Sequence, residues 1–196
     1  DFVRRLPHAS ARSHADHRSP PSDLSSRDAS TPRWRAAAAA DSTASSSLEL
    51  GAIPANLLSM LRHTDSSWQD RAKAVEELKT VLSSLTPGDQ PAVVPHLPEL
   101  IDFVTGLLGD ANFKVQITSL GIFSDILDRF RAHVSSWDGC ADVAVPRLME
   151  KFADNKIVIR QANLRLLKKL MGVVSPTRVL RPLLSYVSHA NSHIRE

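Results

Sequence analysis

Asp154–Leu170 reads DNKIVIRQANLRLLKKL: an acid opens it, a lysine and an arginine follow, and apolar residues then recur at helical spacing. Forty-four residues upstream, Asp110–Leu127 reads DANFKVQITSLGIFSDIL with the same layout. Thirty-five residues downstream of Asp154 the chain closes on HANSHIRE, residues 189–196. Asp65, Asp110 and Asp154 begin equivalent turns at intervals of 45 and 44 residues. Asn112, Lys156 and Asn191 align behind them, as do Val115, Ile159 and Ile194. Arg71, Gln116, Arg160 and Arg195 form a further set.

A helix pair repeating with a period in the forties is the signature of a HEAT or armadillo solenoid. The local logic is physical. An Asp before a helix is expected to cap it and to favour its positive end. The β-branched residue five positions on anchors that helix in the core, and the Arg or Gln after it reaches toward a neighbouring repeat. One pair cannot bury its apolar face alone, so pairs stack around a shared core. Equivalent turns then lie along one edge of the stack.

The rest of the helical region agrees. IPANLLSMLRH predicts a helix with Pro54 near its first turn and Leu57, Leu58 and Leu61 on one face. TDSSW reads as a turn with N-cap chemistry, and QDRAKAVEELKTVLSSL as a helix with the stripe Ala74, Leu78, Val81, Leu82 and Leu85. TPGDQP breaks it, and a further helix is expected from about Pro98, closed by Gly109. Phe113 to Val134 is expected to be one helix, SSWDG a turn, and CADVAVPRLMEKF a helix that Pro146 kinks or starts. Lys156–Met171, a turn at GVVSP and Thr177–Val187 complete about eight helices, with no strand pattern. The fold class expected is all-α, an α-solenoid of antiparallel HEAT-type pairs over residues 49–196.

Residues 1–48 differ. Their Ser, Arg, Asp, His and Pro content offers too little apolar surface to offset the entropy of ordering, and they are expected to be a disordered linker or tail. The chain starts at Asp1 and stops inside a recurring motif, so it is expected to be a fragment of something longer, truncated at its C-terminus.

With 196 residues, 42% apolar and 23% charged, the composition is that of a globular domain with a sizeable core. One cysteine, Cys140, excludes an internal disulfide. No apolar run is expected to reach the roughly 20 residues that cross a bilayer. The net charge of +3 is unevenly placed: residues 155–195 hold eight Lys or Arg and no Asp or Glu, whereas residues 65–110 hold eight acids. A basic half predicts an acidic partner, unless acids beyond the fragment balance it.

The first turn, SSWQDRAKAVEELKTVL, places the indole of Trp68 at a solvent-facing loop position. With GDANFKVQITSLGIFSDIL and DNKIVIRQANLRLLKKL, it resembles the TOG domain, a HEAT-repeat module of the XMAP-type, CLASP and crescerin (TOG-array) microtubule regulators, with the last two the nearer. The resemblance spans Ala55 to Glu196: three repeats and the opening of a fourth, out of the family's usual six. It implies a monomeric domain that binds αβ-tubulin or microtubules through the edge of intra-repeat loops, in the cytoplasm and cytoskeleton, the cilium included. Carried over by position, the tubulin-binding candidates are Trp68, Asn112, Lys114, Lys156, Arg160, Asn191 and His193. Arg160 has a second reading, as a brace for the next repeat, and Arg71 is read as structural. Phe113 takes in the second turn the place of Trp68 in the first, as an apolar contact or as a staple onto its own helix.

Other readings carry less. Trp137 is expected to be a structural staple at a helix start. His189 and His193 are four apart but lack Cys or carboxylate company, so neither a metal nor any other cofactor is expected. Cys140 has no His–Asp arrangement around it, and seven glycines form no phosphate-cradling loop, so no enzymatic activity is expected. LRLLKKLM reads as a core helix with a solvated basic face before it reads as a membrane-binding one. Aromatic content of 5% argues against nucleic acid as the partner. The alternative to tubulin binding is a HEAT scaffold that takes a different protein, its turns merely capped.

Overall fold

The computed structural model describes residues 47–63 and 65–186. Of the segment 1–48 expected to be disordered, residues 1–46, with Trp34, lie outside the described residues, whereas Leu48 stands in a short strand. So do His189, Asn191 and His193.

Seven principal helices follow one another: α1 (Ala55–Arg62), α2 (Trp68–Ser84), α3 (Leu97–Gly106), α4 (Phe113–Arg129), α5 (Val134–Glu150), α6 (Ile157–Met171) and α7 (Pro176–Tyr186). Short helical turns over Pro87–Asp89, Gln90–Val93 and Val94–His96 lead into α3. Helices α1 and α2, α3 and α4, and α5 and α6 pack as pairs, and the pairs stack. Helix α3 packs on α5 and α5 on α7, while α2 packs on α4 and α4 on α6. Two rows of helices thus enclose one apolar core, as the repeat requires. Leu57, Leu58, Leu78, Leu100, Ile101, Ile122, Phe123, Leu148, Ile159 and Leu170 are all buried in it.

The row formed by α2, α4 and α6 is braced from one repeat to the next. Lys169 Nζ meets Asp128 Oδ2 at 2.6 Å and Ser124 Oγ at 2.7 Å, and Thr118 Oγ1 donates to Glu76 Oε1 at 2.9 Å. On the other row Arg147 pairs with Asp102 (2.8 Å) and Arg178 with Asp142 (2.6 Å).

Three features differ from expectation. First, α4 ends at Arg129, and α5 begins at Val134, so SSWDG forms the opening of a helix and not a turn. The reason is Trp137. Its indole is fully buried and its Nε1 donates to the Phe130 carbonyl at 3.0 Å, so burial overrides the turn preference of Ser, Asp and Gly. Trp137 is thus the structural residue expected at this helix start, although the start itself lies further upstream. Pro146 lies well inside α5 and does not begin it.

Second, a two-stranded antiparallel hairpin precedes α1, pairing β1 (Leu48–Glu49) with β2 (Ile53–Pro54). Its turn needs left-handed backbone at Leu50 (φ 51°) and Gly51 (φ 88°). A Cβ on Gly51 would stand 2.1 Å from the Ala92 carbonyl oxygen, so glycine is also what lets the hairpin press against the turns before α3.

Third, Pro87–Gly109 has a mean hydropathy of 1.2 and is long and apolar enough, by length and composition alone, to span a bilayer. It is nevertheless divided into short helical pieces, and Leu97, Leu100 and Ile101 are fully buried in the core.

Candidate functional site

The turns within pairs join α1 to α2, α3 to α4 and α5 to α6. Each second helix begins on a large apolar residue: Trp68, Phe113 and Ile157 are its first residue in the three pairs. These side chains are 48%, 48% and 57% exposed, while the anchors two positions on, Val115 and Ile159, are fully buried. The exposed indole expected at position 68 is therefore present, and the exposed ring of Phe113 speaks against a staple into the core of its own helix. Ile157 went unnoticed in the sequence, although its spacing of 44 residues from Phe113 marks it. It also lines an open apolar groove of about 620 Å³ with Phe152, Leu164 and Met171.

The turns are built from side chain to backbone. Asp110 Oδ1 accepts from the Asn112 N–H at 2.7 Å, and Asp154 Oδ1 accepts from the Lys156 N–H at 2.9 Å. The repeated aspartate was expected to cap the following helix, and this is corrected: it stands two residues ahead of the N-cap and forms an Asx turn that orients it. The caps proper are Ser67, accepting from the Asp70 N–H at 3.2 Å, and Asn112, accepting from the Lys114 N–H at 2.9 Å. Lys156 holds the third N-cap position without a side-chain cap bond.

The position after the buried anchor closes each turn from below. Gln116 Nε2 donates to the Asp110 carbonyl at 2.6 Å, and Arg160 Nη1 to the Asp154 carbonyl at 2.7 Å. Arg71 donates to the Ser66 carbonyl and forms a two-pronged pair with Asp110, Nε to Oδ2 at 2.7 Å and Nη2 to Oδ1 at 3.2 Å. Arg71 thus ties the first turn to the second, in the structural role expected of it. Arg160 braces its own turn, and the turn of the next repeat, which the second reading had it brace, lies outside the described residues. Burial pushes the Asp110 carboxyl up, but hydrogen bonds from Arg71 and the Asn112 N–H, with the charge of Arg71, outweigh it and hold the group below the usual carboxylate range. The hydrogen bond to Asp110 in turn raises the Arg71 guanidinium, against the opposing effect of burial.

The second and third turns meet through a ring. Lys156 Nζ lies 5.2 Å from the centroid of Phe113. Lys114 and Lys156 are exposed, and Asn112 and Arg160 are half-buried. Trp68, Asn112, Lys114, Lys156 and Arg160 therefore all belong to the intra-pair turns or the first helical turn behind them, on neighbouring repeats. Elsewhere, burial drives the Cys140 thiol up to about 12, which leaves it without thiolate reactivity near neutral pH.

No family model matches the chain. Relatives do. The human "TOG array regulator of axonemal microtubules protein 1" is 35% identical over 151 residues, which cover 77% of this chain. "Crescerin-like protein che-12" of Caenorhabditis elegans is 26% identical over 162 residues, covering 83% of this chain. The aligned regions span only 8% and 12% of these relatives' own lengths. Among solved structures, one described as "Crescerin uses a TOG domain array to regulate microtubules in the primary cilium" superposes with a TM-score of 0.61 at 31% identity, covering 76% of this chain and 57% of that one.

Proposed function

The helical part of this chain is a TOG-type domain of stacked HEAT pairs, and on that premise we propose that it binds αβ-tubulin, free or in microtubules, as part of a regulator of the cytoskeleton and cilium. Binding is non-covalent and uses the edge formed by the intra-pair turns. Trp68 is the apolar anchor. Asn112, Lys114 and Lys156 supply donors and positive charge to an acidic protein surface, with Asn191 and His193 continuing the series. Arg160 contributes charge at the base of the third turn while its Nη1 holds the Asp154 carbonyl.

The observation that carries this reading is Trp68. An indole 48% exposed at the first position of a helix does little for the core, whereas Trp leads the residues that dominate binding energy at interfaces. The rigid stack behind it keeps the neighbouring turns at fixed spacing, which limits the ordering cost of association.

The test is a Trp68→Glu variant. Because the side chain lies outside the core, the helical circular dichroism is expected to stay unchanged, while co-elution with tubulin on gel filtration is expected to weaken at least tenfold in affinity, the scale of an interface hot spot. Co-elution equal to wild type would reject the loop-edge mode and favour a scaffold for some other protein.

A further inference from the structure

Lysines on a surface edge sweep freely through solvent, and one that pairs with a carboxylate has its charge and donors occupied. Lys169 is of the second kind, held by Asp128 at 2.6 Å and Ser124. Lys151 lies 3.7 Å from Asp154. Among the described residues Lys156 is of neither kind. Its ammonium sits 5.2 Å from the centroid of the Phe113 ring, which belongs to the preceding repeat. An aromatic face attracts a cation through its quadrupole, without neutralising the charge. The lysine is thereby localised while no acceptor among the described residues takes its N–H donors.

Phe113 is suited to this task. It is the first residue of α4, beside the turn, and its ring is half exposed, while Val115 takes the core position. Apolar packing gives no reason for an aromatic here. Lys156 is the N-cap residue of α6, and its backbone N–H is fixed by Asp154, so the stem of the side chain starts from a set point. Two anchors, one at each end of the side chain, determine where the charge stands.

Resting on the tubulin-binding reading, we propose that Phe113 is a positioning residue: its ring holds the Lys156 ammonium at the edge, so that the second and third turns present a single pre-set cation to a carboxylate of tubulin. The benefit is entropic, since a localised lysine loses less rotamer freedom when it binds.

The experiment is a double-mutant cycle on the whole chain, measuring tubulin affinity for wild type, Phe113→Leu, Lys156→Met and the double variant, with Phe113→Tyr as the conservative control. Leucine keeps the site apolar and removes the ring. Phe113→Leu is expected to weaken binding about two- to fivefold in the wild-type background, the range of exposed cation–π pairs, and to cost nothing in the Lys156→Met background. Phe113→Tyr is expected to bind like wild type. In the free protein, proton NMR should show the Lys156 ε-methylene shifted upfield by the ring current, and that shift should vanish in Phe113→Leu. An equal loss in both backgrounds would make Phe113 a plain apolar contact and overturn the proposal, as would an unshifted ε-methylene. A shifted ε-methylene in a wild-type chain that fails to bind tubulin would instead bring down the functional reading, and the positioning role with it.

Discussion

Asp110 shows how much one residue does at this edge. One carboxylate oxygen orders the backbone of its own turn, both receive Arg71 from the turn before, and its carbonyl is held by Gln116. The pair is largely sheltered, with side-chain exposures of 14% for Arg71 and 10% for Asp110. The consequence for pH follows from the direction of the shift. The folded-state value of Asp110 lies below its unfolded one, so its contribution is fully present above about pH 4, the ordinary carboxylate value, and is lost as pH falls through the folded value. Asp110→Asn keeps an acceptor for the Asn112 N–H but leaves Arg71 without its counter-charge. It is expected to lower stability at pH 7 by about 1–3 kcal/mol and to flatten the acid limb, read from urea midpoints between pH 7 and pH 3. An Asn variant with the same midpoints as wild type at pH 7 would remove Asp110 from this role.

At the scale of elements, the boundary between α4 and α5 is decided by a side chain that sequence patterns misjudge. Ser135, Ser136, Asp138 and Gly139 all favour a turn, and Trp137 stands among them. In the fold the indole is fully buried and donates to the Phe130 carbonyl, and the segment becomes the first turns of α5. Trp137→Phe is expected to retain most of the apolar burial while removing one of the two donors to the Phe130 carbonyl, the His133 N–H at 3.0 Å remaining. A loss of about 0.5–1.5 kcal/mol, the net worth of one hydrogen bond, is expected in thermal or chemical unfolding. Circular dichroism should keep its helical magnitude below the transition. Unchanged stability would mean that packing alone orders this start. The helices α2 and α6 were legible almost to the residue, because their apolar stripes and flanking turn signals agree. The β1–β2 hairpin was not, since two-residue strands have no period to read.

Over the whole molecule, charge and repetition act together. The basic residues of the α6–α7 half and the acids nearer α2 and α3 lie on successive repeats of one stack, so charge changes sign along the stack. For an acidic partner such a gradient chiefly raises the encounter rate. The association rate with tubulin is expected to fall severalfold as salt rises from about 50 to about 200 mM, with the dissociation rate nearly constant, as measured by stopped-flow or surface-based kinetics. A salt-independent association rate would show that the gradient does not steer. Heparin taking the place of tubulin, with the same salt slope, would point to a polyanion site.

The sequence by itself determined that this is an α-solenoid, because a period in the forties, carried by residues that cap, anchor and turn, is a local pattern written along the chain. It also determined that Trp68 stands apart, since an indole between two helix signals has no place in either stripe. What only the tertiary structure decided is how turns distant in sequence meet: Arg71 with Asp110, Lys156 with Phe113. Those contacts depend on how far one helix pair is rotated and shifted against the next. That displacement is set by side chains interlocking in the shared core, and no single stretch of the chain records it.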